Sequence, residues 1–63
     1  MQVHKMRFRR GDTAVAKHEI RAIAGVIPAG AAVSIVSADP ILRCYDISYQ
    51  GMEISECGDR DFA

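Results

Sequence analysis

Apolar residues recur at every second position in short bursts along this chain, and each burst ends at a residue that turns the backbone. Tyr45-Asp-Ile-Ser-Tyr49 alternates apolar and polar strictly, as a strand with one dry and one wet face does. Met52-Glu-Ile-Ser55 resumes the alternation, so the intervening Gln50-Gly51 predicts a hairpin turn with Gly51 at positive φ. Val33-Ser-Ile-Val-Ser37 is rich in strand formers. Ala38-Asp-Pro-Ile41 joins it to a strand over Leu42–Tyr49, because Pro40 has no N–H to give inside a central strand. Gly11-Asp12, Gly25, Pro28-Ala-Gly30 and Gly58-Asp59 mark further turns. Short strands this closely spaced predict a small all-β barrel or sandwich.

Asp12–Ala24 supports two readings. Ala16, Ile20 and Ile23 fall at helical spacing, Thr13 stands where an N-cap would, and Gly25 where a helix would end. Thr13-Ala-Val-Ala-Lys17 fits a first strand followed by a long loop equally well. Pattern alone leaves both open.

With 63 residues the chain holds one domain with a small core. A fold of ~60 residues buries only about 60% of the surface its unfolded chain exposes. The 49% hydrophobic and 25% charged content excludes disorder as the default. No apolar run approaches the ~18 residues of a membrane span. The basic start, with no apolar stretch behind it, does not read as a secretory signal, so a cytoplasmic protein is expected. Two cysteines cannot build a dense disulfide framework. Economical packing or a second copy must therefore complete the core, and a homo-oligomer is expected.

Zero net charge hides an asymmetry: residues 1–21 carry six Lys and Arg against two acids, and residues 22–63 carry two against six. Lys5-Met-Arg-Phe-Arg-Arg10 interleaves cations with Met6 and Phe8. Lys5, Arg7, Arg9, Arg10 and Lys17 suit a nucleic-acid arm, since Lys and Arg release counterions from phosphate and a ring stacks on bases. An edge strand over residues 1–8 with Met6 and Phe8 packed inward is the favoured reading, because nucleic-acid domains carry a net basic excess. A third possibility is that this basic end meets the acidic end of a neighbouring subunit.

The order Arg9-Arg-Gly-Asp-Thr-Ala-Val-Ala-Lys17, Ile27-Pro-Ala-Gly30, Val33-Ser-Ile-Val36, Cys44-Tyr-Asp-Ile-Ser-Tyr49 and Gly51 resembles the small SH3-like barrels common on phage and mobile elements. These open with a Gly-Asp pair leading into a strand, pass through an Ile-Pro-x-Gly divergent turn, and end on a short acidic segment with an apolar plug. Glu56-Cys-Gly-Asp-Arg-Asp-Phe62 looks like that ending. The resemblance implies a barrel of about five strands over residues 9–62, with a strand at Asp12–Lys17 and a loop through Gly25. It places Val15, Ile27, Val33, Ile35 or Val36, Tyr45 or Ile47, Ile54 and Phe62 inside. It implies fold, not function.

Candidate chemistry is sparse. Cys44 and Cys57 lack paired C-x-x-C spacing and neighbouring histidines, so no metal is expected and free thiols are. His18, between Lys17 and Glu19, and His4, near the start, have no nucleophile or orienting group beside them in sequence. Tyr45 and Tyr49 either line a peptide groove, as exposed aromatics do in SH3-like barrels, or fill the core; so few large side chains favour the core. Glu53, Glu56, Asp59 and Asp61 have no spacing distinctive of glycosidase or metal chemistry. No phosphate-binding glycine loop and no G-x-S-x-G occurs, and no cofactor is expected. One enzyme class on such barrels, the plasmid-type dihydrofolate reductases, lines a pore shared by four copies with Val-Gln-Ile-Tyr. The corresponding Met52-Glu-Ile-Ser55 puts a carboxylate where cofactor phosphates would lie and lacks the phenol. The favoured expectation is a non-enzymatic, oligomerising interaction module that binds a protein or other macromolecule. Tyr45 and Tyr49 are its candidate aromatic contacts. A nucleic-acid-binding barrel using the basic segment is the alternative, and a pore enzyme at a subunit interface comes third.

Overall fold

The structure, a computed structural model, describes residues 5–63, and among them the regular structure is all β. Six strands follow in order: β1 (Thr13–Val15), β2 (Ile20–Ala22), β3 (Gly25–Ile27), β4 (Ala32–Asp39), β5 (Cys44–Tyr49) and β6 (Met52–Cys57). A single 3-10 turn, Asp59–Asp61, precedes the C-terminal residues. The strands form two antiparallel sheets, one of four strands ordered β1-β4-β5-β6, the other the β2–β3 hairpin. Within 35 × 20 × 19 Å they enclose one hydrophobic cluster.

Local chemistry sets each turn. Gln50 and Gly51 take φ of 49° and 78°, both positive as a type I′ turn demands, and Tyr49 pairs with Met52 across it. Asp39 Oδ1 accepts from the main-chain N–H groups of Ile41 and Leu42 at 2.9 and 3.1 Å, folding the chain back after Pro40. Gly30, at φ 86°, lets the Pro28–Ala31 turn close, and its N–H reaches the Ala16 carbonyl at 2.8 Å. Glu56, φ 68°, is the extra residue of a bulge in β6 opposite β5.

Several expectations need correction. The expected closed barrel of about five strands is six strands in two sheets, with no hydrogen-bonded ladder between β2–β3 and β6. The helical alternative for Asp12–Ala24 does not form, and the expected loop through Gly25 instead holds β2 and the first residue of β3. Gly25 allows it: a Cβ there would lie 2.7 Å from the Met52 sulfur, so the hairpin rests against the start of β6. β4 runs two residues beyond Ser37, and Leu42 belongs to the turn rather than to β5. Val15 is 42% exposed, and Ala14 and Ala16 are the buried residues of that segment. Register explains the phase: Ala14 lies opposite buried Val33, and Val15 opposite exposed Ala32. Ile27, Val33, Ile35, Tyr45, Ile47, Ile54 and Phe62 are all buried.

The last residues close one end of the molecule. Phe62 bridges to Ala16, Ala63 N–H donates to the Val15 carbonyl, and Lys17 N–H to that of Asp61, both at 2.8 Å. The rings of Phe8, Tyr45 and Phe62 meet edge to face, each pair 5.7–5.8 Å between centroids.

Candidate functional site

The basic segment is part of this closure and forms no separate arm, as far as the described residues show. Its first four residues, His4 included, lie outside them. Arg7 donates to the main-chain oxygens of Asp59, Phe62 and Ala63 at 3.0, 3.2 and 2.6 Å, and its guanidinium carbon lies 4.9 Å from the centre of the Phe8 ring. Phe8 N–H donates to the Tyr45 hydroxyl at 3.2 Å. Arg9 N–H donates to Asp12 Oδ2 at 2.9 Å, which fixes the turn into β1. The side chains of Lys5, Arg9, Arg10 and Lys17 stay exposed.

Tyr45 is 0% exposed and belongs to the core, not to a groove. Its hydroxyl donates to Asp59 Oδ1, and burial followed by this bond raises its pKa. Tyr49, half-buried, packs on the core margin near the hairpin turn. Among the described residues the two tyrosines thus form no aromatic pair, and no group of three His, Cys, Asp or Glu that could hold a metal is present. Cys44 and Cys57 are free thiols. Burial pushes the Cys57 thiol up to about 11, with Asp61, Asp46 and Cys44 adding to the shift. Cys44 is also raised, by burial and then by Asp39, Asp46 and Glu56. Neither thiol is activated for nucleophilic attack.

His18 links the hairpin to the 3-10 turn. Its Nε2 lies 2.8 Å from Asp61 Oδ1 and its Nδ1 2.8 Å from the Glu19 carbonyl, while Asp61 Oδ2 accepts from Gly58 N–H at 2.8 Å. The two ring nitrogens thus face a carbonyl and a carboxylate oxygen. This arrangement ties two backbone segments together and presents no nucleophile.

A groove of about 670 Å³ lies between β2, with the Ile23–Ala24 turn, and β6. Ile20 and Ile54, both nearly buried, form its floor, and Ile23 projects at its rim, 109% exposed. Glu19, Glu53, Glu56 and Asp61 line it against Arg21 and His18. Glu19 pairs with Arg21 at 3.5 Å and Asp61 with His18, so Glu53 and Glu56 stand exposed without an ion-pair partner among the described residues.

Register shows what β6 offers this groove. Tyr49 and Met52 flank a two-residue turn and form a hydrogen-bonded pair, so Ile54 also turns its amide toward β5. The amides and carbonyls of Glu53 and Ser55 alternate with these and face outward. β6 is the terminal strand of its sheet, and among the described residues no strand pairs with this edge. Glu53 and Glu56 belong to this edge strand, and the topology brings Glu19 and the β2 side of the groove to it. A second groove of about 600 Å³ beside Leu42 is lined by Arg43 and Arg60 together with Glu56, Asp59 and Asp61. No protein-family model, no curated protein and no solved structure matches this chain.

Proposed function

We propose that the chain is a non-enzymatic, SH3-like interaction module that takes an extended segment of another protein as an added strand along β6. The order of its parts supports the SH3-like reading: a short first strand, a hairpin excursion, three antiparallel strands, a 3-10 turn and a terminal segment bridged back to Ala16. One observation carries the functional reading. The outward edge of β6 borders a groove with an apolar floor, and β2, across it, leaves room rather than pairing. Open edges are a hazard that proteins usually cover, and they are also how strand-adding modules capture partners by main-chain hydrogen bonds. Two β6 edges from two copies would bring Glu53 and Glu56 together, which disfavours self-pairing at this edge. The nucleic-acid reading loses its central cation, because Arg7 is occupied with the C-terminal carbonyls.

Selection of displayed random peptides on the folded protein tests the proposal. Selected peptides should bind the parent and lose affinity for Ser55→Pro, which removes an outward N–H at an edge position that tolerates proline. Selected peptides that bind Ser55→Pro as well as the parent would place recognition elsewhere. Should that variant fold poorly, protection of the Glu53 and Ser55 amides from exchange in the parent complex decides the same point.

A further inference from the structure

We infer that the segment received along β6 carries Lys or Arg at alternate positions with apolar residues between them; this inference rests on the strand-addition reading above. In a β ladder, residues directly opposite each other share a face. Glu53 and Ser55 are exposed while Ile54 points into the groove floor, so the two faces of an added strand meet different chemistry. Its outer residues lie beside Glu53 and, at the bulge, near Glu56. Neither carboxylate forms an ion pair among the described residues, although Glu56 also borders the groove that holds Arg43 and Arg60, and like charge opposite them is repelled. Its inner residues face Ile54 and Ile20 beneath the exposed Ile23. Cations outside and apolar side chains inside are the complement of these two faces.

The occupant is a foreign protein rather than a second copy. Lys5-Met-Arg-Phe-Arg9 of this chain has the same alternation, but Arg7 is held by three main-chain oxygens and Phe8 by the rings of Tyr45 and Phe62. Releasing that segment would uncover the closed end of the fold.

Fluorescence anisotropy with a labelled peptide of alternating lysine and valine tests this, with glutamate–valine and lysine–serine peptides as comparisons. The lysine–valine peptide should bind, and more weakly as salt rises. The double reversal Glu53→Lys/Glu56→Lys should weaken it on the order of tenfold or more, and Ile23→Ser should weaken it as well. All three positions are exposed, so these variants keep the fold. A glutamate–valine peptide that binds equally well, or a reversal without effect, would overturn the cationic preference while leaving strand addition standing. Equal binding of lysine–serine would overturn the apolar half. Binding by none of the three would overturn both readings. A dimer in sedimentation whose Glu53 and Ser55 amides are protected without peptide would make a second copy the occupant and refute the foreign partner.

Discussion

Phe62 lies next to the last residue of the sequence, where loss of a side chain normally costs little. Here it is 1% exposed, meets Phe8 and Tyr45 edge to face at 5.7 and 5.8 Å, and forms the bridge to Ala16. Phe62→Ala leaves a cavity where three elements meet, and such truncations cost ~3–5 kcal/mol. The two ring contacts supply about 0.5–1.5 kcal/mol of that each. A core in a chain of this length rarely supplies more than ~3–5 kcal/mol in total. Phe62→Ala should therefore be largely unfolded without denaturant, whereas Phe62→Leu, which keeps most of the volume, should fold with a lowered urea midpoint. Urea melts followed by far-ultraviolet circular dichroism read both variants. A Phe62→Ala midpoint equal to the parent's would refute the closure by Phe62 and the aromatic cluster built on it.

Three further outcomes follow from the same geometry. Arg7→Gln should lower stability by about 1 kcal/mol through the lost bonds to the C-terminal carbonyls, while Arg10→Gln, exposed in the turn before β1, should leave the urea midpoint unchanged. The contribution of Cys57 to stability should be level below about pH 9 and fall as pH rises toward 11: the fold holds the thiol protonated up to about 11, the unfolded chain releases that proton from its ordinary 9.0, and Tyr45, also raised, acts in the same direction. Urea midpoints at pH 8 and pH 10.5 measure this, and a smaller drop in Cys57→Ala would assign the thiol's share. The Ile41–Leu42 turn, each residue 72% exposed, pairs two adjacent exposed apolar side chains suited to self-association; sedimentation should show a salt-resistant oligomer that Ile41→Ser/Leu42→Ser abolishes, and a monomer of 6.9 kDa at tens of micromolar would contradict it.

The central hairpin was legible because its signals agree: Tyr45-Asp-Ile-Ser-Tyr49 and Met52-Glu-Ile-Ser55 alternate, and Gln50-Gly51 meets the demands of the turn between them. The β2–β3 hairpin was not, because strands of three residues are too short for periodicity and Ala16, Ile20 and Ile23 happen to fall at helical spacing. Val15 misled by size. The larger residue looks like the core residue, but pairing with β4 sets Ala14 opposite buried Val33 and turns Val15 outward. Arg7 read as a phosphate ligand because a sequence shows charge and not the carbonyls it faces. The groove was out of reach for a different reason: its β2 wall, with Glu19, Ile20 and Ile23, meets Ile54 and the acids of β6 only after the hairpin has folded back beside them.

Residue-resolved hydrogen exchange of the protein with and without the lysine–valine peptide tests strand addition most directly. Without peptide, the Met52 and Ile54 amides, paired to β5, should exchange slowly and those of Glu53 and Ser55 quickly. With peptide, Glu53 and Ser55 should become protected while the Ile41–Arg43 turn stays unchanged. Protection that appears in that turn, or nowhere along β6, would contradict the account.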